Sequence, residues 1–153
     1  MTNNDCLRRI RYILDFSDSK MIDIFGLANV ETDRKEVSAW LKQDDDADFK
    51  KCSDASFAAF LNGMIVALRG EKEGEPPRAE TKLNNNMIFM KLKIALNLKA
   101  DEILQILDSA DQEVSKHELS AFFRRPDHKH YRECKDQILR NFLNGLKINY
   151  RDD

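Results

Sequence analysis

In this 153-residue chain the run HKHYREC places His128, His130 and Cys134 within seven positions, a spacing that could suggest a metal site. Imidazole and thiolate suit zinc, but a closed zinc site takes three or four donors. A second run of the same layout, DDDADFKKC, carries Asp46, Asp48 and Cys52 instead. Positions that accept aspartate as readily as histidine are expected in a solvated loop, so no metal is assigned to either run. The acidic run Asp44–Asp48 lacks the glycine and terminal glutamate of a calcium-binding helix-loop-helix and is expected to be a solvated turn.

Catalytic chemistry finds no equivalent foothold. There is no nucleophile elbow, no glycine-rich phosphate loop and no HExxH pair, so neither catalytic residues nor a cofactor is expected. An odd count of three cysteines without a CxxC pair argues against a disulfide framework. Cys52 and Cys134 are expected as small buried side chains.

Two further features could mediate binding. Asn62 and Asn144 stand in identical FLNG motifs, flanked by bulky apolar groups. A buried amide must find partners, because an unsatisfied one costs about 1–3 kcal/mol. Either a hydrogen bond to the irregular segment ahead of the helix or a contact to a ligand or partner would meet that demand. The other feature is basic: Lys116, His117, Arg124, Arg125, Lys129 and Arg132 cluster in sequence, and such cations suit phosphate contacts. A net charge of −2 gives no whole-molecule drive toward nucleic acid or acidic membrane.

These residues recur because the chain repeats itself. Phe49, Cys52, Asp54, Phe60, Leu61, Asn62 and Gly63 fall, 82 positions on, upon Tyr131, Cys134, Asp136, Phe142, Leu143, Asn144 and Gly145. Self-similarity at one fixed spacing defines the folding unit. Residues 1–69 and 83–153 are therefore expected as two helical repeats, with the Gly-, Pro- and charge-rich stretch 70–82 as an exposed linker.

Apolar periodicity divides each repeat into four helices, and no stretch alternates as a half-buried strand does. In the first repeat the expected helices run over about 5–15, 19–28 and 33–43, with a fourth from near Asp54. Asn4 is the expected N-cap of the first, and the corresponding helix of the second repeat is expected to start after Asn86. Asp33 and Ser115, each with glutamate three residues on, have capping-box spacing. Gly63 and Gly145 lie inside apolar runs, so the helix is expected to continue through them while another helix crosses closely. The two units are expected to pack on each other with pseudo-two-fold or translational similarity, burying Phe57, Phe60, Leu61 and Met64 along with Leu139, Phe142, Leu143 and Leu146. The fold class is all-α, a tandem duplication of a small four-helix unit. Its second and third helices resemble a helix-turn-helix in outline, although the turn is long and lacks the usual glycine.

The segments NNDCLRRIRYIL, SAWLK, FKKCSD with FLNG, NNN and PDHKHYRECKDQILRNFLNGL resemble the YehS-like family of uncharacterised bacterial proteins. The resemblance implies a cytoplasmic protein built from a duplicated domain of unknown function, and it supplies no catalytic residue, cofactor or substrate. An N-terminus without signal-peptide layout and the absence of an apolar run near 20 residues point the same way. The expected function is that of a non-enzymatic binding protein. Its partner is expected to be another protein or a second copy, with nucleic acid as the alternative and no role for a membrane.

Overall fold

The computed structural model describes residues 1–71 and 78–151; positions 72–77 of the expected linker lie outside the described residues. Eight helices, and no strand, occur among the described residues. They are α1 (Asn3–Leu14), α2 (Asp18–Leu27), α3 (Arg34–Leu41), α4 (Asp54–Arg69), α5 (Asn85–Ala95), α6 (Ala100–Ser109), α7 (Lys116–Phe122) and α8 (Asp136–Tyr150). The chain divides into two compact units, Met1–Leu83 and Asn84–Asp153, each with four helices.

The N-terminal caps differ from the expected ones. Thr2, not Asn4, caps α1: its hydroxyl accepts from the Asp5 N–H, and the Asp5 carboxylate accepts from the Thr2 N–H in return. Asn84 caps α5 by accepting from the Met87 N–H, so that helix begins one residue before Asn86. Asn4 and Asn86 thus enter the first turn with their side chains released for long-range use. Asp33 and Ser115 cap α3 and α7. The reciprocal bond closes only in the second unit; in the first, Glu36 Oε1 accepts from the Thr32 hydroxyl, where the second unit has Val114.

Among the described residues, four non-glycine residues adopt a left-handed backbone, and they form two pairs in the 82-residue register. Asp15 and Asn97 end α1 and α5; Asn29 and Asp111 follow α2 and α6. Asn and Asp tolerate this conformation better than other side-chain-bearing residues, and they exchange between the units at both positions. The turn between α2 and α3 therefore needs no glycine.

Each core closes on a helix crossing at one glycine. In the first unit α2 packs most extensively on α4; in the second, α6 packs on α8. A Cβ built on Gly63 would overlap the Ile24 carbonyl oxygen and stand 2.9 Å from its carbon; one on Gly145 would meet Ile106 likewise, at 2.8 Å. The helix runs through both glycines, as the sequence pattern requires. The eight core positions expected from the sequence, from Phe57 to Leu146, are all buried.

The two cores use different side chains for one shape. Phe25 packs against Trp40 and Phe60, with centroids 5.1 and 5.2 Å away. In the second unit that position is Leu107, and the central ring is Phe89, standing where the first unit has Leu7; it packs on Phe122, Phe123 and Phe142. Phe25 and Phe89 pack on equivalent residues, Trp40 and Phe60 in one unit and Phe122 and Phe142 in the other, so a phenylalanine–leucine exchange between the first and second helices keeps core volume nearly constant, the kind of swap cores tolerate best.

Candidate functional site

The recurring polar residues converge on the segment between the third and fourth helices of each unit. Asn4 is buried on α1. Its Nδ2 donates to the carbonyls of Trp40 and Lys50, both at 2.9 Å, and its Oδ1 accepts from the Cys52 N–H at 3.0 Å. Asn86 repeats this with Phe122 (3.0 Å), Arg132 (2.8 Å) and Cys134 (2.9 Å). One side chain thereby supplies both donors and its acceptor to backbone groups from 36 to 48 residues away. Where a segment without regular structure meets the core, its buried backbone polar groups must be satisfied in some such way.

The preceding asparagine fixes the helix that follows. Asn3 donates to the Cys52 carbonyl at 3.2 Å and to the Asp54 carboxylate at 2.7 Å; Asn85 does so to Cys134 at 3.0 Å and Asp136 at 2.7 Å. Asp54 also accepts from the Leu83 N–H at 2.9 Å. The Asn3 hydrogen bond, aided by Leu83, holds the Asp54 carboxyl below its ordinary range; Asn85 does the same for Asp136. Both acids stand in the first turn of their helices, where negative charge is favoured.

Cys52 and Cys134 lie buried within these networks as free thiols. Burial pushes each up to about 12; for Cys52, the nearby Asp54 and Glu36 carboxylates add to the effect. Such a thiol stays protonated at neutral pH and is a poor nucleophile or metal ligand. His128 and His130 are neighbours, ring centroids 5.6 Å apart, on an exposed loop. No group of three or more His, Cys, Asp or Glu positioned for a metal ion occurs among the described residues.

The structure accounts for the exchange of histidine with aspartate. Nδ1 of His128 accepts from the His130 N–H at 3.0 Å, as Oδ1 of Asp46 accepts from the Asp48 N–H at 2.8 Å. The position calls for a short side-chain acceptor two residues before an exposed N–H, and neutral imidazole or carboxylate provides it.

Asn62 and Asn144 do not share an environment. Asn62 is buried on α4, whereas Asn144 is exposed on α8. The amides that tie down the irregular segment are Asn4 and Asn86, which the sequence marked by recurrence but which local spacing assigned to capping. Recurrence of both Asn86 and Cys134 in the 82-residue register was the available signal.

The basic candidates are gathered on α7 and the loop after it, and several already have partners. Lys116 pairs with Asp101 at 3.4 Å, and Arg132 with Glu118 at 3.2 Å, matching Lys50 with Glu36 at 2.9 Å in the first unit. Arg124 donates to the Ser120 hydroxyl at 3.4 Å, and Arg125 lies 4.0 Å from Asp127. Lys129 and His117 are exposed. The connections 28–33 and 110–115 between the paired helices are longer than the three or four residues of a compact helix-turn-helix. A shallow groove of about 660 Å³ in the second unit is lined by Leu104, Asp108, Gln112, Glu113, Val114 and Glu118, among others. Asn62, Asn144 and His128 do not line it.

A model of a family described as protein of unknown function, DUF1456, matches residues 3–70 and again 85–152. The chain belongs to the DUF1456 family. The two matches coincide with the two sets of four helices, so each matched segment of this chain is one four-helix bundle. The Escherichia coli (strain K12) protein described as uncharacterized protein YehS is 44% identical over 147 residues, covering 95% of this chain and 94% of its own. No solved structure matches the chain. No helix among the described residues is long and apolar enough to cross a membrane.

Proposed function

We propose that this DUF1456 chain is a non-enzymatic cytoplasmic protein-binding module whose partner docks on the exposed apolar side chains near the ends of its long helices. One observation carries this reading: Leu68 and Tyr150, equivalent positions of α4 and α8, are each 42% exposed. Tyr12 and Ile94, equivalent on α1 and α5, are also exposed, as is Ile148. A single exposed apolar side chain needs no explanation, but recurrence at the same register in both units sets these apart. The polar residues shared by the units support the same reading, since their hydrogen bonds serve the fold and leave them no reactive role.

The second reading is nucleic-acid binding through α7 and the loop after it, favoured by the exposure of Arg125, Lys129, His128 and His130 on one short segment. The acidic partners of Lys116 and Arg132 weigh against it.

Capture of the tagged protein's partners from lysate, with and without nuclease and at low and moderate salt, separates the two. The protein-binding reading expects a partner that survives nuclease and is lost from the double variant Leu68→Glu/Tyr150→Glu. Co-purifying nucleic acid that is released at moderate salt, and abolished by Arg124→Glu/Arg125→Glu, would replace it with the second reading.

A further inference from the structure

The loops at 43–48 and 125–130 share one backbone and carry opposite charge. In the first unit the Asp46 N–H donates to the Gln43 carbonyl at 3.0 Å and the Phe49 N–H to Asp46 at 3.1 Å. In the second the His128 N–H donates to Arg125 and the Tyr131 N–H to His128, both at 2.9 Å. Each loop is pinned to its third helix by one further bond, Lys50 N–H to the Ala39 carbonyl or Arg132 N–H to that of Ala121. On this common frame the first unit exposes Asp44, Asp45, Asp46 and Asp48. The second exposes Arg125, His128, Lys129 and His130, with Asp127 as the lone acid among them.

Four carboxylates on a pinned turn repel one another and cannot spread apart. The loop of the second unit has the same outline and carries Lys129 and Arg125, the latter 4.0 Å from Asp127, as cations to relieve that repulsion. Because hydrogen bonds already hold both loops, bringing them together costs little ordering entropy.

We propose that the acidic loop of one copy of this chain binds the basic loop of a second copy. This contact uses a surface other than the apolar one proposed above and goes beyond that reading. The contact joins unlike surfaces, so it closes into a pair if made reciprocally and otherwise continues from copy to copy. Loops this small bury little area, so the association is weak and falls with salt.

The test is sedimentation of the full chain over a concentration series at about 20 mM and about 500 mM salt. The wild type associates at low salt and dissociates at high salt. The variants D44K/D45K/D48K, with two basic loops, and R125E/K129E, with two acidic loops, each lose association by about tenfold or more, the sum of several exposed ion pairs. Both leave Asp46 and His128, the acceptors of the turns, in place. Mixed in equal amounts, the two variants associate again, in a pair or in a longer assembly. A wild type monomeric throughout, association indifferent to both reversals, or a mixture that stays dissociated overturns the proposal. The protein-binding reading fails separately, on the Leu68→Glu/Tyr150→Glu capture.

Discussion

Asn3 and Asn4 sit side by side on one turn of helix and do different jobs, one setting the charge state of a helix N-terminus and the other holding a loop. Asp54 owes its depressed pKa first to Asn3 and then to the Leu83 N–H. A carboxyl held lower in the folded than in the unfolded chain adds stability above the unfolded value, and that stability is lost as pH falls through the folded value. The wild type should therefore weaken as pH drops below about 4, where carboxylates ordinarily titrate. Asn3→Ala should let the Asp54 pKa rise toward its ordinary value and flatten that acid dependence. Carboxyl chemical shifts followed through a pH titration read this directly, and an Asp54 midpoint unmoved by the substitution would refute the assignment. Local spacing could not tell these two asparagines from a cap, since Thr2 and Asn84 compete for that role from just upstream. What distinguishes Asn4 is its set of partners 36 to 48 residues away, which no local pattern displays.

At the scale of elements, the sequence was most legible where a residue type admits one physical use. Glycine inside an apolar helical run costs about 1 kcal/mol against alanine unless something needs the space. At Gly63 and Gly145 the facing helix needs it. At Gly26 nothing stands within 4 Å of a Cβ. Gly63→Ala should thus cost about 3 kcal/mol or more, since the obstacle is a backbone carbonyl that no rotamer change relieves. Gly26→Ala should be neutral or stabilise by up to about 1 kcal/mol. Thermal unfolding of the two variants checks the pair; equal effects would mean that the α2–α4 crossing is not where stability is set. Less legible were the left-handed turns, because Asn and Asp carry them at Asp15, Asn29, Asn97 and Asp111 without a glycine to mark them. The exchange of Phe25 and Leu7 for Leu107 and Phe89 was equally hidden, since it becomes a compensation only once both rings are seen to pack on the same pair of equivalent residues.

For the whole molecule, duplication separates what the fold requires from what is free to differ. The asparagine staple, the buried cysteine, the helix-start aspartate and the crossing glycine recur in both units. Charge on the loop after the third helix does not, changing sign between Asp44–Asp48 and Arg125–His130. The same division explains why candidate binding residues were harder to find than the fold. Recurrence in the sequence pointed to Asn62 and Asn144, yet one is buried and the other exposed, so their positions in the motif do not make them one site.

The buried polar residues shared by both units, Asn4 and Asn86, are structural. The most direct test is the unfolding free energy of Asn4→Ala and Asn86→Ala, each measured by urea denaturation against the wild type. Each substitution removes the partner of a buried carbonyl, a buried N–H and a part-buried carbonyl, so a loss of about 3 kcal/mol is predicted for either. Variants as stable as the wild type would contradict that role and return both asparagines to the search for a binding site.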